Sequence, residues 1–303
     1  MWFRNLSVYR LPARWDMTAA RLAEALGPQV FVPVSKLEEA SGGWAAPLES
    51  APDEIVFSLD GQLLLAWREE RRLLPAKVIG QVMKERVEHI EAEEGFRPGR
   101  KRLRALKDEV RDELLPRAFA IARDTSVWID PRHGWLVVDS ASPTRASDIF
   151  GMLVKAIDRF PAEALKVRDA VAATMTGWVV EDTAPHGFTI DDELELRERD
   201  GNASIRCTHQ TLTPDEIARH VGDGKQCTRL ALTWADRISF VLTDKLEIRR
   251  VRALDVIRES AAGEGLEAQE RFAADFALMT GELARLLDDL VEALGGLDLA
   301  RAA

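Results

Sequence analysis

The chain has few of the residues on which extracellular and metal-binding proteins depend. Of its 303 residues, two are cysteine and five are histidine. Two cysteines cannot build a disulfide framework, and such scarcity is typical of a reducing cytosol. No window approaches the roughly 18 consecutive apolar residues of a transmembrane helix, and the start MWFRNLSVYRL lacks the apolar core of a signal peptide. We therefore expect a cytoplasmic protein without a membrane span.

The same scarcity argues against a metal or cofactor site. Four residues are of the types that bind zinc: Cys207, His209, His220 and Cys227. Their spacing lacks the close C-x-x-C pairing of most structural zinc sites. Residues 222–225 (GDGK) contain a Gly-Lys step without the spacing of a phosphate-binding loop, so we interpret them as a turn. The sequence predicts no cofactor and no metal.

Charge is unevenly distributed along the chain. The whole chain has a formal net charge of −10, yet residues 97–123 contain nine basic and four acidic residues, a net +5. A basic patch on an acidic protein concentrates positive potential in one place, which suits a polyanion such as nucleic acid. The alternative is a solvated helix face with i,i+4 ion pairs, as Arg104 and Asp108 would allow. Charge alone leaves both interpretations open.

Residues 75–119 are predicted to form two helices separated by a break. The break, residues 95–99 (GFRPG), contains two glycines and a proline, which cannot continue a helix. Apolar residues recur at helical spacing on both sides of it: Val78, Ile79, Val82, Met83, Val87 and Ile90, then Leu103, Leu106, Val110 and Leu114. Two such narrow stripes bury little area alone. We expect residues 75–116 to form a projecting arm that finds a partner.

The rest of the chain alternates strand patterns with amphipathic helices. Asp60-Gly61 is a hairpin signal between residues 55–57 and 63–67, and residues 126–129 and 135–138 form a second pair. Later strands are expected at residues 194–197, 204–207, 228–234, 238–242 and 246–251, and helices at 18–26, 145–160, 214–222 and 269–294. We predict an α+β fold with helices packed on antiparallel sheets. It divides into a central domain (1–74 and 117–165), the inserted arm (75–116) and a C-terminal domain (166–303).

Several segments, in order along nearly the whole chain, carry a resemblance to a known family. They are residues 2–11 (WFRNLSVYRL), 106–119 (LKDEVRDELLPRAF), 128–130 (WID), 231–234 (ALTW), 237–242 (RISFVL) and, most specific, 272–283 (FAADFALMTGEL). Together they resemble the recombination-associated protein RdgC family. The resemblance implies a homodimer closed into a ring, with paired arms at one contact and C-terminal domains at the other. It also implies sequence-independent binding of duplex and single-stranded DNA through a positively lined hole, restraint of RecA-promoted strand exchange, and association with the nucleoid.

Binding of this kind needs phosphate contacts, which Arg and Lys supply without reading the base sequence. We predict such contacts at Lys77, Lys84, Arg97, Arg100, Lys101, Arg102, Arg104 and Arg117, with Lys225 and Arg229 as further candidates. At the dimer contact we predict Phe119, Leu103, Leu106 and Val110; for Phe119 a core strand position is the alternative. Relatives often have Lys-Gln where this chain has His209-Gln210, and a histidine there is mostly neutral at pH 7.

Two other classes of function stay open. Asp130 and Asp139 flank strands and could bind magnesium in a nuclease, although a turn and a strand end are ordinary places for aspartate. Magnesium-dependent cleavage abolished by Asp130→Ala would favour that enzyme over a non-enzymatic DNA-binding protein. A basic arm could instead dock an acidic protein partner, which absence of DNA binding would favour.

Overall fold

The computed structural model describes residues 2–12, 15–185, 187–199, 201, 203–208, 214–257 and 267–298. Its strands are β1 Leu6–Arg10, β2 Ala40–Ala45, β3 Phe57–Leu59, β4 Gln62–Arg72, β5 Ala120–Asp130, β6 Trp135–Asp139, β7 Glu163–Ala164, β8 Phe188–Glu198, β9 Ser204–Thr208, β10 Lys225–Trp234, β11 Ile238–Thr243 and β12 Ile248–Ala253. Its helices are α1 Ala19–Leu26, α2 Ala76–Glu94, α3 Arg100–Leu114, α4 Pro143–Ala156, α5 Val171–Glu181, α6 Pro214–Gly222 and a C-terminal α7 Ala268–Ala293. The α+β class is confirmed. Within these ranges, no helix combines the length and apolar character needed to cross a bilayer.

The strands of the described residues form one antiparallel sheet. Its main path runs β2-β4-β5-β6-β1-β12-β11-β10-β8-β9, while β3 pairs with β4 and β7 pairs with β1. Strand β1 joins the two halves of the sheet, because Leu6 lies opposite both Asp139 of β6 and Ile248 of β12. The sequence predicted antiparallel sheets without placing their strands; pairing at β1 makes them continuous.

Local sequence signals positioned most elements correctly. The hairpin turn between β3 and β4 has Asp60 at φ 50° and Gly61 at φ 80°, the left-handed conformations that a tight two-residue turn requires. Helix α4 begins earlier than predicted, because the Ser142 hydroxyl accepts the N–H of Arg145 at 3.3 Å and Pro143 occupies the first turn. Helix α5 begins at Val171, directly after its N-cap residue Ala170.

Two hydrophobic clusters cover opposite faces of the first half of the sheet. Along β4, Leu64 belongs to one cluster whereas Leu63 and Leu65 belong to the other, as the alternation of side chains along a strand requires. Helices α1 and α4 contribute to the second cluster, and α5 and α7 contribute to the first. Tryptophans 67, 128, 135 and 234 are buried in these clusters.

Helix α7 packs on both halves of the sheet. The ring of Phe57 from β3 meets the rings of Phe272 and Phe276 at centroid distances of 5.2 and 5.4 Å. At the turn between β10 and β11, Arg237 forms two hydrogen bonds of 2.8 Å with Glu282, whose carboxylate is buried. The domain boundary between residues 165 and 166 stays a prediction. Helix α7 packs against core residues from both sides of this boundary.

Candidate nucleic-acid interface

Two consecutive helices, α2 and α3, separate strands β4 and β5 along the chain, and we call them the helix pair. Pro75 precedes α2, where a proline costs no helical hydrogen bond. Gly95 ends α2 at φ 75°, a left-handed conformation that glycine adopts without strain. Gly99 then caps α3 without a side-chain hydrogen bond. The break predicted at residues 95–99 is confirmed.

The helix pair is held together by a thin apolar seam and by ion pairs at its two ends. Ile79 and Val87 of α2 and Leu106 and Val110 of α3 are buried. At one end, the Arg102 guanidinium donates two hydrogen bonds to the Glu94 carboxylate at 2.5 and 2.7 Å. At the other end, Arg86 of α2 pairs with Glu113 of α3. The Glu94 contact lowers the pKa of that carboxyl and raises the pKa of Arg102.

On α3, a row of basic residues lies on the side of the apolar seam opposite to Arg102. Arg100, Arg104, Lys107 and Arg111 recur at i, i+4, i+7 and i+11, which places them along one side of the helix. All four are exposed. Arg111 approaches Glu39 at 3.5 Å, whereas the other three form no ion pair within the described ranges. We call Arg100, Arg104 and Lys107 the basic row. Lys107 was not among the predicted contact residues, although its helical spacing could have identified it.

The first turn of α3 is electrostatically unusual. Arg100, Lys101 and Arg102 are its first three residues, and the turn contains no acidic residue. Because unpaired N–H groups give a helix N-terminus a partial positive charge, three cations there oppose the helix dipole. An anion bound at this end would offset both charges, as phosphates do at other helix N-termini.

The remaining predicted contact residues differ in how available their charges are. Lys77, Lys101, Arg97 and Arg117 are exposed. Lys84 is also exposed but lies 3.7 Å from Glu88, and Arg102 is engaged by Glu94. Lys225 and Arg229 lie apart from the helix pair in sequence, on β10. The Lys225 side chain is only 14% exposed, and the Arg229 Nε is buried without a hydrogen-bond partner in the described part of the chain.

The carboxylates of Asp130 and Asp139 both accept hydrogen bonds from backbone N–H groups. Asp130 is fully buried; its carboxylate accepts the N–H groups of Arg132 and His133 at 2.9 and 3.0 Å and contacts the His133 Nδ1 at 2.6 Å. Asp139 accepts the N–H groups of Arg4 and Asn5 at 3.0 and 2.8 Å, and burial raises its pKa. Since Asp130 lies opposite Trp135, four residues before Asp139, their backbones are about 14 Å apart along the strand. These two carboxylates do not form one magnesium site.

Among the described residues, no group of three histidine, cysteine or acidic side chains could hold a metal ion. Cys207 and Cys227 are buried on neighbouring parts of the second half of the sheet. Burial raises the pKa of the Cys227 thiol to about 12, which keeps the free thiol protonated at neutral pH. His209 and Gln210 lie outside the described residues.

Comparison with known proteins places the chain in a family. A family model described as "Putative exonuclease, RdgC" matches residues 1–297. The chain belongs to the RdgC family. It is 52% identical over 297 residues to a "Recombination-associated protein RdgC" of Janthinobacterium sp. (strain Marseille), with 98% of each chain covered. A protein of the same name from Herminiimonas arsenicoxydans is 49% identical, again with 98% of each chain covered.

Membership of the RdgC family confirms the resemblance seen in the sequence and connects the chain with recombination. The relatives are named for recombination, whereas the description of the family model names an exonuclease. In this RdgC-family chain, the carboxylates of the two aspartates considered for nuclease chemistry accept hydrogen bonds from backbone N–H groups. Their geometry gives the nuclease interpretation no support.

The predicted dimer-contact residues of this RdgC-family chain have different surroundings. Leu106 and Val110 are buried within the chain, and Leu103 is half-buried. Phe119 is 84% exposed, so the alternative core position does not apply to it. Leu73 and Ile121 are also exposed, and the N–H of Leu73 donates to the carbonyl of Phe119 at 2.7 Å. These three side chains therefore give the base of the helix pair an exposed apolar surface.

Proposed function

We propose that this RdgC-family protein binds DNA without sequence preference through the basic row of α3. The observation that carries the proposal is three exposed cations that form no ion pair with the described acidic residues, aligned on one helix of a chain whose net charge is −10. Cations on a single helix side contact phosphates, which are the same in every sequence. The first turn of α3 supports the same interpretation, because a phosphate would offset its opposed charges.

The proposed DNA-binding form is a homodimeric ring that encircles DNA. The exposed Phe119, Ile121 and Leu73 support a contact between two copies at the base of the helix pair, because large apolar side chains exposed together are typical of interfaces. A ring also reconciles an acidic protein with DNA binding, since basic residues need to line only the interior. By occupying DNA, such a ring would restrain RecA-promoted strand exchange, and it would associate with the nucleoid.

The first test measures DNA affinity against salt concentration. Fluorescence anisotropy of unrelated labelled duplexes is titrated with wild type and with Arg100→Ala/Arg104→Ala/Lys107→Ala. We expect equal affinity for all sequences, and a slope of log K against log salt about 2.7 units shallower in the variant, about 0.9 for each lost phosphate contact. Lys36→Ala/Lys155→Ala/Lys166→Ala removes the same charge from exposed positions elsewhere and should match wild type.

Two outcomes would contradict the proposal. If wild type binds no duplex at low salt, the basic row is better interpreted as a docking surface for an acidic protein. If magnesium-dependent shortening of the labelled strand appears and survives in the basic-row variant, the protein is an exonuclease.

A strand-exchange assay then tests regulation: wild type should slow RecA-promoted exchange at concentrations that saturate the DNA, and the basic-row variant should not.

A further inference from the structure

A cleft lies where strand β1 meets strand β12, at the junction of the two halves of the sheet. Its volume is about 1050 Å³. Beside it, the N–H of Val251 donates to the carbonyl of Arg4 at 2.8 Å, and the N–H of Arg250 donates to the side chain of Asn5 at 3.3 Å. The cleft is therefore built on paired backbone rather than on a surface loop alone. It is also separate from the basic row of α3.

Three arginines line the cleft: Arg4, just before β1, and Arg250 and Arg252 on β12. Arg250 is held at φ 54°, a conformation that side-chain-bearing residues seldom adopt, and its guanidinium contacts Glu193 at 2.6 Å. Arg4 and Arg252 are exposed and form no ion pair within the described ranges. The guanidinium groups of Arg4 and Arg252 provide planar, multiple donors of the kind that phosphate oxygens accept.

The other residues around the cleft add two further kinds of contact. Trp2 is half-buried; it packs against the hydrophobic cluster and also borders the cleft. Asp236 and Asp255 border it as well, so the lining is not uniformly basic. An indole can stack on a nucleobase, a carboxylate can accept hydrogen bonds from a base amino group, and arginine can bind phosphate. The combination matches the base and the phosphate of a nucleotide better than it matches a simple anion.

We propose that this cleft binds unpaired nucleotides of a DNA strand, with Trp2 stacking on a base and Arg4 and Arg252 contacting phosphate. Its volume is at the upper end of small-molecule sites and is large enough for more than one nucleotide. Bases in a duplex are stacked on each other and cannot present their faces to Trp2. The proposal rests on DNA being the ligand of the protein, as proposed above, and adds a site that distinguishes a single strand from a duplex.

The test compares a labelled ten-nucleotide oligothymidylate with a labelled duplex by fluorescence anisotropy. Trp2→Leu should weaken single-strand binding about tenfold, because one stacked base contributes on that scale, and should change duplex binding less than twofold. Trp2→Phe keeps an aromatic face and should stay near wild type. Arg4→Gln/Arg252→Gln should make the single-strand salt slope about 1.4 units shallower, about 0.7 for each phosphate contact.

Controls separate this inference from the proposed function. The basic-row variant should lose duplex affinity yet keep its sensitivity to Trp2→Leu on the single strand. If neither Trp2→Leu nor the arginine variant changes single-strand binding, the cleft is not a nucleotide site, whatever the basic row does. If wild type binds neither the duplex nor the single strand, the proposed function and this inference both fail. If wild type binds the duplex but not the oligothymidylate, this inference alone fails. Thermal melts verify folding of each variant.

Discussion

Asp130 is completely buried and accepts hydrogen bonds from its own turn. Two of its donors are backbone N–H groups of the β5–β6 turn, and the third contact is the imidazole of His133. A buried carboxylate is retained only where such partners satisfy it. At the scale of single residues, this arrangement explains the aspartate without any bound metal.

Replacing Asp130 should therefore affect stability rather than chemistry. Asp130→Ala leaves two N–H groups unpaired, and we expect the free energy of unfolding to fall by about 3 kcal/mol. Urea unfolding followed by circular dichroism measures the loss. DNA affinity per folded molecule should remain that of wild type. A stable variant that has lost a magnesium-dependent nuclease activity would contradict this interpretation.

Asp139 predicts a pH dependence of stability. Burial raises its pKa in the folded chain above the ordinary value of 3.8, so the folded state holds this proton more tightly than the unfolded chain does. The contribution of Asp139 to stability therefore decreases as pH rises from the ordinary value through the raised folded pKa. Asp139→Asn cannot titrate, yet its side-chain oxygen can still accept the N–H of Asn5.

The measurement for Asp139 is thermal unfolding of wild type and Asp139→Asn between about pH 3 and 7. The melting temperature of the variant relative to wild type should rise across this range, and at neutral pH the variant should be at least as stable. Asp139→Ala removes the acceptor and should cost about 1–3 kcal/mol. A relative melting temperature that falls with increasing pH would show that the nearby Arg4 and Arg123 charges outweigh burial.

At the scale of elements, the arginines of α3 have two different roles. Arg102 faces α2 and binds Glu94, whereas Arg104 belongs to the basic row. Their positions differ by two residues, or about 200° around the helix. Adjacent basic residues in the sequence therefore support either packing of the helix pair or contact with a ligand. Composition alone cannot separate the two.

Glu94→Gln should release Arg102 and strengthen DNA binding. It removes a negative charge and the bidentate partner of a guanidinium at the first turn of α3, so we expect a salt slope steeper by up to about 0.9 units. Glu93→Gln is the matched control. It removes the same charge at the neighbouring residue, whose partner is His89 rather than Arg102. Equal effects of the two substitutions would mean that only net charge matters.

At the scale of the whole molecule, Phe119 predicts self-association. Because it is 84% exposed, Phe119→Glu should leave the folded chain intact while destabilising a contact between two copies. Light scattering after size-exclusion chromatography should show a dimer for wild type and a larger monomer fraction for the variant. Leu37→Glu, at a position 83% exposed, should remain dimeric. A monomeric wild type at micromolar concentration would contradict the proposed ring.

The packing of α7 predicts that both halves of the sheet unfold together. Glu282 is buried and binds Arg237 and Arg285, so Glu282→Ala should cost about 3 kcal/mol. Because α7 also packs on Phe57 and near Phe3, this loss should destabilise the first half of the sheet as well. Urea unfolding should give one transition at lower denaturant. Two separated transitions would favour independent domains.

Much of the fold could be predicted because its signals are local. The Asp60-Gly61 turn, the break at residues 95–99 and the amphipathic pattern of α7 depend on a few neighbouring residues. The candidate site was partly predictable for the same reason, since helical spacing assigns Arg100 and Arg104 to one side of α3. The ion pair between Arg102 and Glu94 was not predictable, because it depends on how α2 and α3 return along each other.

The sequence by itself determined the α+β class, the break between α2 and α3, the basic region on an acidic chain, and the family. Propensity, periodicity and charge order are properties of neighbouring residues and need no tertiary contact. Only the tertiary structure decided that β1 joins both halves into one sheet, that α7 packs on both, and that Asp130 and Asp139 bind backbone groups. These features bring together residues as distant as Phe3 and Met279. Such contacts depend on the burial of many side chains at once, which no short stretch of sequence specifies.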